Sequence, residues 1–189
     1  AGGHHLLLVG PPGCGKTHLA HQLPRLLPPL SRSEALTITR IQSVAGLLRN
    51  PGTLPRTRPF RAPHHSCTAA ALLGGGISPQ PGELSLAHGG VLFLDELAEF
   101  SRAVLDQLRQ PLEEGVLRLS RSRLKTTFPA AITLVAATNP CPCGWHGDRE
   151  HGCRCSLSQR QRYWQRLSGP LLDRLDLQLR LERPAGCEH

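Results

Sequence analysis

Nothing in this sequence approaches the ~18–20 consecutive apolar residues that a membrane-spanning helix needs, and no signal-peptide pattern opens it. A soluble cytoplasmic protein with no membrane partner is the expectation. No internal repeat is visible either. Aromatic residues make up only 4% of the chain against 39% hydrophobic overall, so its core must be aliphatic, as in layered α/β proteins. Lysine is scarce, occurring only as Lys16 and Lys125. The surplus of 22 basic over 14 acidic residues, a net charge of +8, is therefore almost all arginine. Arginine forks suit phosphates, which favours a nucleic-acid partner; an arginine-rich codon usage gives the same composition. Seven cysteines are an odd set, and four of them crowd into one short segment. A fully paired disulfide scaffold is a poor fit to that.

Against these absences stands one dense stretch. Leu6-Leu7-Leu8-Val9 reads as a buried strand running into Gly10-Pro11-Pro12-Gly13-Cys14-Gly15-Lys16-Thr17, of the form G-x-x-x-x-G-K-T, with a helix expected from about Lys16. Such a loop turns backbone N–H groups and a helix N-terminus toward the β-phosphate of a nucleotide. Lys16 then reaches the β/γ-phosphates, the Thr17 hydroxyl binds Mg²⁺, and His18 follows as the last candidate nucleotide-binding residue. ATP and Mg²⁺ are the expected cofactors.

The second signal is Val91-Leu92-Phe93-Leu94-Asp95-Glu96. Unbroken apolar residues predict a central parallel strand buried on both faces, and its C-terminal end is where open α/β sheets bind ligands. Asp95 is placed to hold Mg²⁺ and Glu96 to orient and deprotonate the attacking water. A third buried strand over residues 132–139 ends on Asn139, which either positions that water or contacts the γ-phosphate; Asn-Pro by itself reads as a turn.

Between these landmarks the pattern is weaker. The helix from Lys16 is expected to end by Pro24. A second helix is expected over 33–48 with Leu36, Val44, Leu47 and Leu48 among its apolar positions, although Thr37, Ile38, Thr39 and Ile41 also tolerate a strand. Residues 50–66 read as loop with a short extended piece near 58–62, 68–73 as a brief helix, and 77–90 as loop or a small hairpin. Ser101 is expected to cap a helix through Leu112, followed by a hairpin of 116–120 with 126–128 and Arg121, Arg123 and Lys125 toward its tip.

Cys141-Pro142-Cys143 and Cys153-Arg154-Cys155 put four thiols in one segment, with His146 and His151 between them. The set can close a tetrahedral zinc site, with reduced thiols or a redox-made disulfide pair as alternatives. Ser158 and Gln161 fit a capping box for a helix to about Arg166. Arg174 sits among apolar residues before a last strand, 177–181, where it requires a partner: Asp173, Asp176 or a phosphate of a neighbouring subunit's nucleotide.

Taken together, the stretches GPPGCGKT (10–17), RPFRAPHH (58–65), PGELSLAHGGVLFLDEL (81–97), LVAATNPCPCG (134–144) and SGPLLDRLDL (168–177) closely resemble the ComM/YifB family of magnesium-chelatase-like AAA+ ATPases. They run in family order over nearly the whole chain. The resemblance implies a P-loop NTPase core, a parallel sheet flanked by helices with β-hairpin inserts and a Cys-rich loop. Residues 10–17 resemble Walker A, Asp95 and Glu96 Walker B, Asn139 sensor 1, and Arg174 the arginine finger of a ring interface. Residues 77–90 lie where this branch carries its helix-2 insert, and 116–128 resembles the pre-sensor-1 hairpin. That makes Arg118, Arg121, Arg123 and Lys125 candidate DNA contacts, with a solvated hairpin as the alternative. On this reading 1–184 is the ATPase core and 185–189 a tail, without the family's N-terminal Lon-like domain or C-terminal helical lid. The implied function is a hexameric ATP-driven motor on branched DNA, promoting branch migration in recombination. A chelatase-type motor on a protein partner and an ATP-gated assembly switch are the competing expectations.

Overall fold

The computed structural model describes residues 3–48, 52–76, 78–121, 124–167 and 169–183. In chain order the elements are β1 (Leu6–Val9), α1 (Lys16–Leu26), α2 (Arg32–Val44), β2 (Phe60–Arg61), α3 (Ala69–Leu73), β3 (Gly74–Gly75), β4 (Gln80–Pro81), α4 (Glu83–Leu86) and β5 (Val91–Leu94). A 3₁₀ turn (Leu97–Glu99) leads to α5 (Arg102–Asp106), α6 (Arg109–Glu114), β6 (Val116–Arg121), β7 (Leu124–Pro129), β8 (Thr133–Thr138), α7 (Leu157–Arg166), α8 (Gly169–Leu172) and β9 (Leu177–Arg180).

The main sheet is parallel, in the order β2-β5-β8-β1-β9. Its three central strands are the three apolar runs, paired Leu6 with Val135 and Phe93 with Val135. Alternation splits their side chains between two faces. Leu7, Val9, Leu92, Leu94, Leu134 and Ala136 join the larger core under α3 to α8, while Leu6, Leu8, Val91, Phe93, Val135 and Ala137 meet α1 through Leu19, Ala20 and Leu23. Burial on both faces is why these strands carry no polar alternation.

Several helix boundaries differ from the sequence expectation. The first helix runs past Pro24 to Leu26, because a proline near a helix end forfeits one hydrogen bond while Leu23 and Leu27 still pack inward. The second begins earlier, at a capping box of Ser31 with Glu34, and buries Ala35, Ile38 and Ile41; Leu36, Val44 and Leu47 are exposed. The expected 101–112 helix is broken at Gln107-Leu108 into α5 and α6. The 77–90 stretch contributes a strand and the α4 turn, with Leu84 and Ser85 buried; residue 77 lies outside the described residues. The last long helix is capped by Ser156 and Gln159, not Ser158 and Gln161.

Glu34 accepts the Ser31 backbone N–H at 2.8 Å and pairs with Arg58 at 3.0 Å. These bonds, the Ser31 backbone first, hold its carboxyl at about 2 against an ordinary 4.5. A depressed carboxylate contributes stability above its unfolded value that is lost as pH falls through the folded one. Glu34→Gln is therefore expected to melt lower at neutral pH, by up to about 1 kcal/mol. Melts of the two proteins should converge between pH 4.5 and about 2.

Candidate functional site

The loop of residues 10–15 leaves the end of β1 and wraps onto the N-terminus of α1, with Gly13 at φ 76° and Gly15 at φ 86°. Gly10 is buried and has no room for a side chain. A Cβ there would lie 2.6 Å from Cys14 Sγ and 2.7 Å from the Leu181 carbonyl. Lys16 Nζ donates to the carbonyls of Gly10 (2.6 Å) and Pro11 (2.8 Å), and to Asn139 Oδ1 at 3.2 Å. Pro12, Gly13, Thr17 and His18 are exposed, and Cys14 is half-buried with its sulfur 3.8 Å from Lys16 Nζ.

Parallel packing of β1, β8 and β5 brings three sequence-distant groups to one sheet edge. Thr17 Oγ1 donates to Asp95 Oδ2 at 2.8 Å, and Asp95 Oδ1 accepts the Glu96 N–H at 2.9 Å. Two hard oxygen donors this close fit a Mg²⁺ ion in chemistry and reach. Glu96 has φ 51°, the one left-handed non-glycine backbone among the described residues. Its carboxylate is 59% exposed and sits 2.9 Å from His65 Nδ1. Left-handed non-glycine backbone costs on the order of 1 kcal/mol and clusters at functional sites.

His65 was not among the residues expected at the site. Its signal is the His64-His65 pair that closes the 58–65 stretch, and the ring contact of the two histidines is 4.0 Å between centroids. The arginines of that stretch are structural. Arg58 ties Glu34 to the Pro28 and Gly89 carbonyls, and Arg61 forks onto Glu83 of α4 at 2.5 and 2.6 Å. Sequence spacing also missed a cavity of about 720 Å³ beside the loop, walled by Gly10, Pro11, Arg160, Trp164, Arg180 and Leu181. Its lining comes from β1, α7, β9 and the flanking segments, so no local pattern announces it.

Arg174 does not join the Lys16 cluster. It pairs with Glu113 at 2.5 Å, not with Asp173 or Asp176; Asp176 instead accepts the His5 N–H at 2.7 Å. The β6–β7 hairpin is longer than expected, with Arg118 opposite Thr127 and Ser120 opposite Lys125. Alternation turns Leu117 and Phe128 into the core and leaves Arg118 mostly exposed, where it pairs with Glu114. Arg123 and the side chain of Arg121 lie outside the described residues.

The four cysteines converge. All four sulfurs lie within 4.8 Å of one another, with Cys141–Cys143 at 3.4 Å and Cys153 at 3.7 Å from each. A tetrahedral zinc with ~2.3 Å bonds needs sulfurs ~3.8 Å apart, so the donor set fits that ion. The Trp145 backbone N–H pulls the Cys143 thiol down to about 6, while burial pushes Cys141 up to about 12. Neither histidine joins the sulfurs: His151 bonds Asp148 and His146 bonds Arg160.

Residues 1–188 match the model of the family described as "Magnesium chelatase, subunit ChlI". The chain belongs to that family. Within it, the chain is 54% identical to YifB of Salmonella typhimurium over 97% of its length and 36% of the relative's. It is likewise 54% identical to competence protein ComM of Haemophilus influenzae, over 95% and 35%. More distantly it is 29% identical to the probable DNA helicase MCM9 of Oryza sativa, over 93% of this chain and 21% of that one. It thus spans about a third of the length of the curated relatives it matches first. Among solved structures, NtrX from Brucella abortus in complex with ADP aligns with a TM-score of 0.58 at 16% identity, over 96% of this chain and 32% of that one. Family and topology together make the fold an AAA+ P-loop core carrying a hairpin insert and a Cys-rich loop. No helix among the described residues is long and apolar enough to cross a membrane.

Proposed function

We propose that this chain is the ATP-hydrolysing core of a ring-shaped motor that remodels branched DNA. The carrying observation is the juxtaposition of Thr17, Asp95 and Glu96 at one sheet edge beside the Lys16 loop. Bound Mg²⁺ would neutralise charge on the β- and γ-phosphates. Lys16 holds the phosphates, Asn139 orients Lys16 and the water, and Glu96 takes the water's proton. The described part of residues 1–184 forms the core, with the described part of 77–90 an insert; the tail expected at 185–189 lies outside the described residues. Cys141, Cys143, Cys153 and Cys155 hold a structural zinc.

Assembly supplies what one chain lacks. Arg174 exchanges Glu113 for the γ-phosphate of a neighbouring subunit in a hexamer, and the exposed Arg118 and Lys125 of the hairpin face DNA phosphates. The names of two relatives, a competence protein and a probable DNA helicase, support a DNA substrate. The family's description favours a second reading, a chelatase-type motor driving a protein partner. ATP hydrolysis by the full-length protein, with and without branched DNA at low and moderate salt, separates them. Stimulation that fades steeply with salt is expected, since phosphate contacts release counterions. Robust hydrolysis indifferent to DNA would move the assignment to the protein-driven motor.

A further inference from the structure

The four-cysteine loop is packed against the nucleotide loop, and the contact has no slack. Gly144, buried at φ 84°, lies so close to Pro12 that a Cβ would stand 2.8 Å from its Cδ and 3.0 Å from its Cγ. The Gly144 N–H donates to the Cys141 carbonyl at 2.9 Å, so this contact is part of the turn that carries two of the thiols. On the other side of that turn, one proline separates Cys141 from Asn139, whose Oδ1 accepts from Lys16 Nζ at 3.2 Å. Pro140 fixes its own φ and transmits little slack. Its carbonyl accepts from Trp164 Nε1 at 3.1 Å, which pins the stem to α7.

Between that stem and Ser156, residues 141–155 form neither helix nor strand. This irregular loop is held by side-chain contacts, among them Asp148 with His151, Arg149 with Glu182 and the stack of Trp145 on His151, and Cys141 is its one fully buried cysteine. A cross-link through the four sulfurs adds a constraint at the two ends of the loop, because a metal site's binding free energy is shared with the structure it closes.

We infer that the cysteine centre is a zinc clasp on the nucleotide site: metal bound by Cys141, Cys143, Cys153 and Cys155 holds Asn139 and, through Gly144, Pro12 in their phosphate-facing positions. Zinc occupancy then sets nucleotide affinity, not only fold stability. The inference rests on the zinc and nucleotide assignments above, and its test separates all three.

Full-length protein purified without chelators is assayed for zinc, and fluorescent-ADP affinity is measured before and after stripping the metal with a chelator. One zinc per chain is expected, with affinity falling about tenfold on stripping, the equivalent of one charge-assisted hydrogen bond, and returning with added Zn²⁺ alone. A companion variant, Gly144→Ala, keeps all four thiols; it should retain zinc while losing comparable affinity, which loss of folding by metal-free protein cannot mimic. Stripped protein with unchanged affinity would overturn the clasp and leave the zinc standing. Protein isolated without zinc, its cysteines reduced or in disulfides, would overturn clasp and zinc together. Nucleotide binding absent from both forms would overturn the nucleotide assignment and the clasp with it.

Discussion

Glu96→Gln is expected to leave nucleotide affinity within about twofold and to slow hydrolysis by about 10²- to 10⁴-fold, the range that a positioned general base contributes. Gln keeps the size of the side chain and a hydrogen bond toward His65, so the left-handed turn at φ 51° need not rearrange. What disappears is the basic oxygen. Asp95 and Thr17 are untouched at 2.8 Å, so metal and phosphate binding should persist. Phosphate release and fluorescent-ADP titration on the same preparation read the two effects separately. Hydrolysis at the unmodified rate would remove Glu96 from the chemistry. A variant that binds but does not hydrolyse, yet keeps its DNA activity, would identify an ATP-gated switch in place of a motor.

Lys16→Ala should act on binding itself. The Nζ is held by the Gly10 and Pro11 carbonyls and by Asn139, all neutral oxygens, so its full charge is available to a phosphate. A hydrogen bond to a charged group contributes about 1.5–3 kcal/mol, which corresponds to a loss of about 10- to 150-fold in nucleotide affinity. The same substitution also frees Asn139. Hydrolysis should consequently fall further than affinity at saturating nucleotide. Titration with fluorescent ADP and saturation kinetics check the two parts, and an unchanged Kd would disqualify the loop as the phosphate site.

The sequence by itself determined the three central strands, the nucleotide loop and the cysteine set. Apolar runs such as Leu6 to Val9 and Val91 to Leu94 specify strands buried on both faces, and the G-x-x-x-x-G-K-T spacing specifies its own turn. These are short-range properties: neighbours along the chain decide them through periodicity and backbone stiffness. The tertiary structure decided how distant pieces meet. It folded a helical turn into 77–90, gave Arg174 to Glu113, set His65 against Glu96 and pressed Gly144 onto Pro12. Each of these outcomes depends on which surfaces the parallel sheet brings together. Lys16 and Asn139 are 123 residues apart along the chain, and only the pairing of β1 with β8 makes them neighbours.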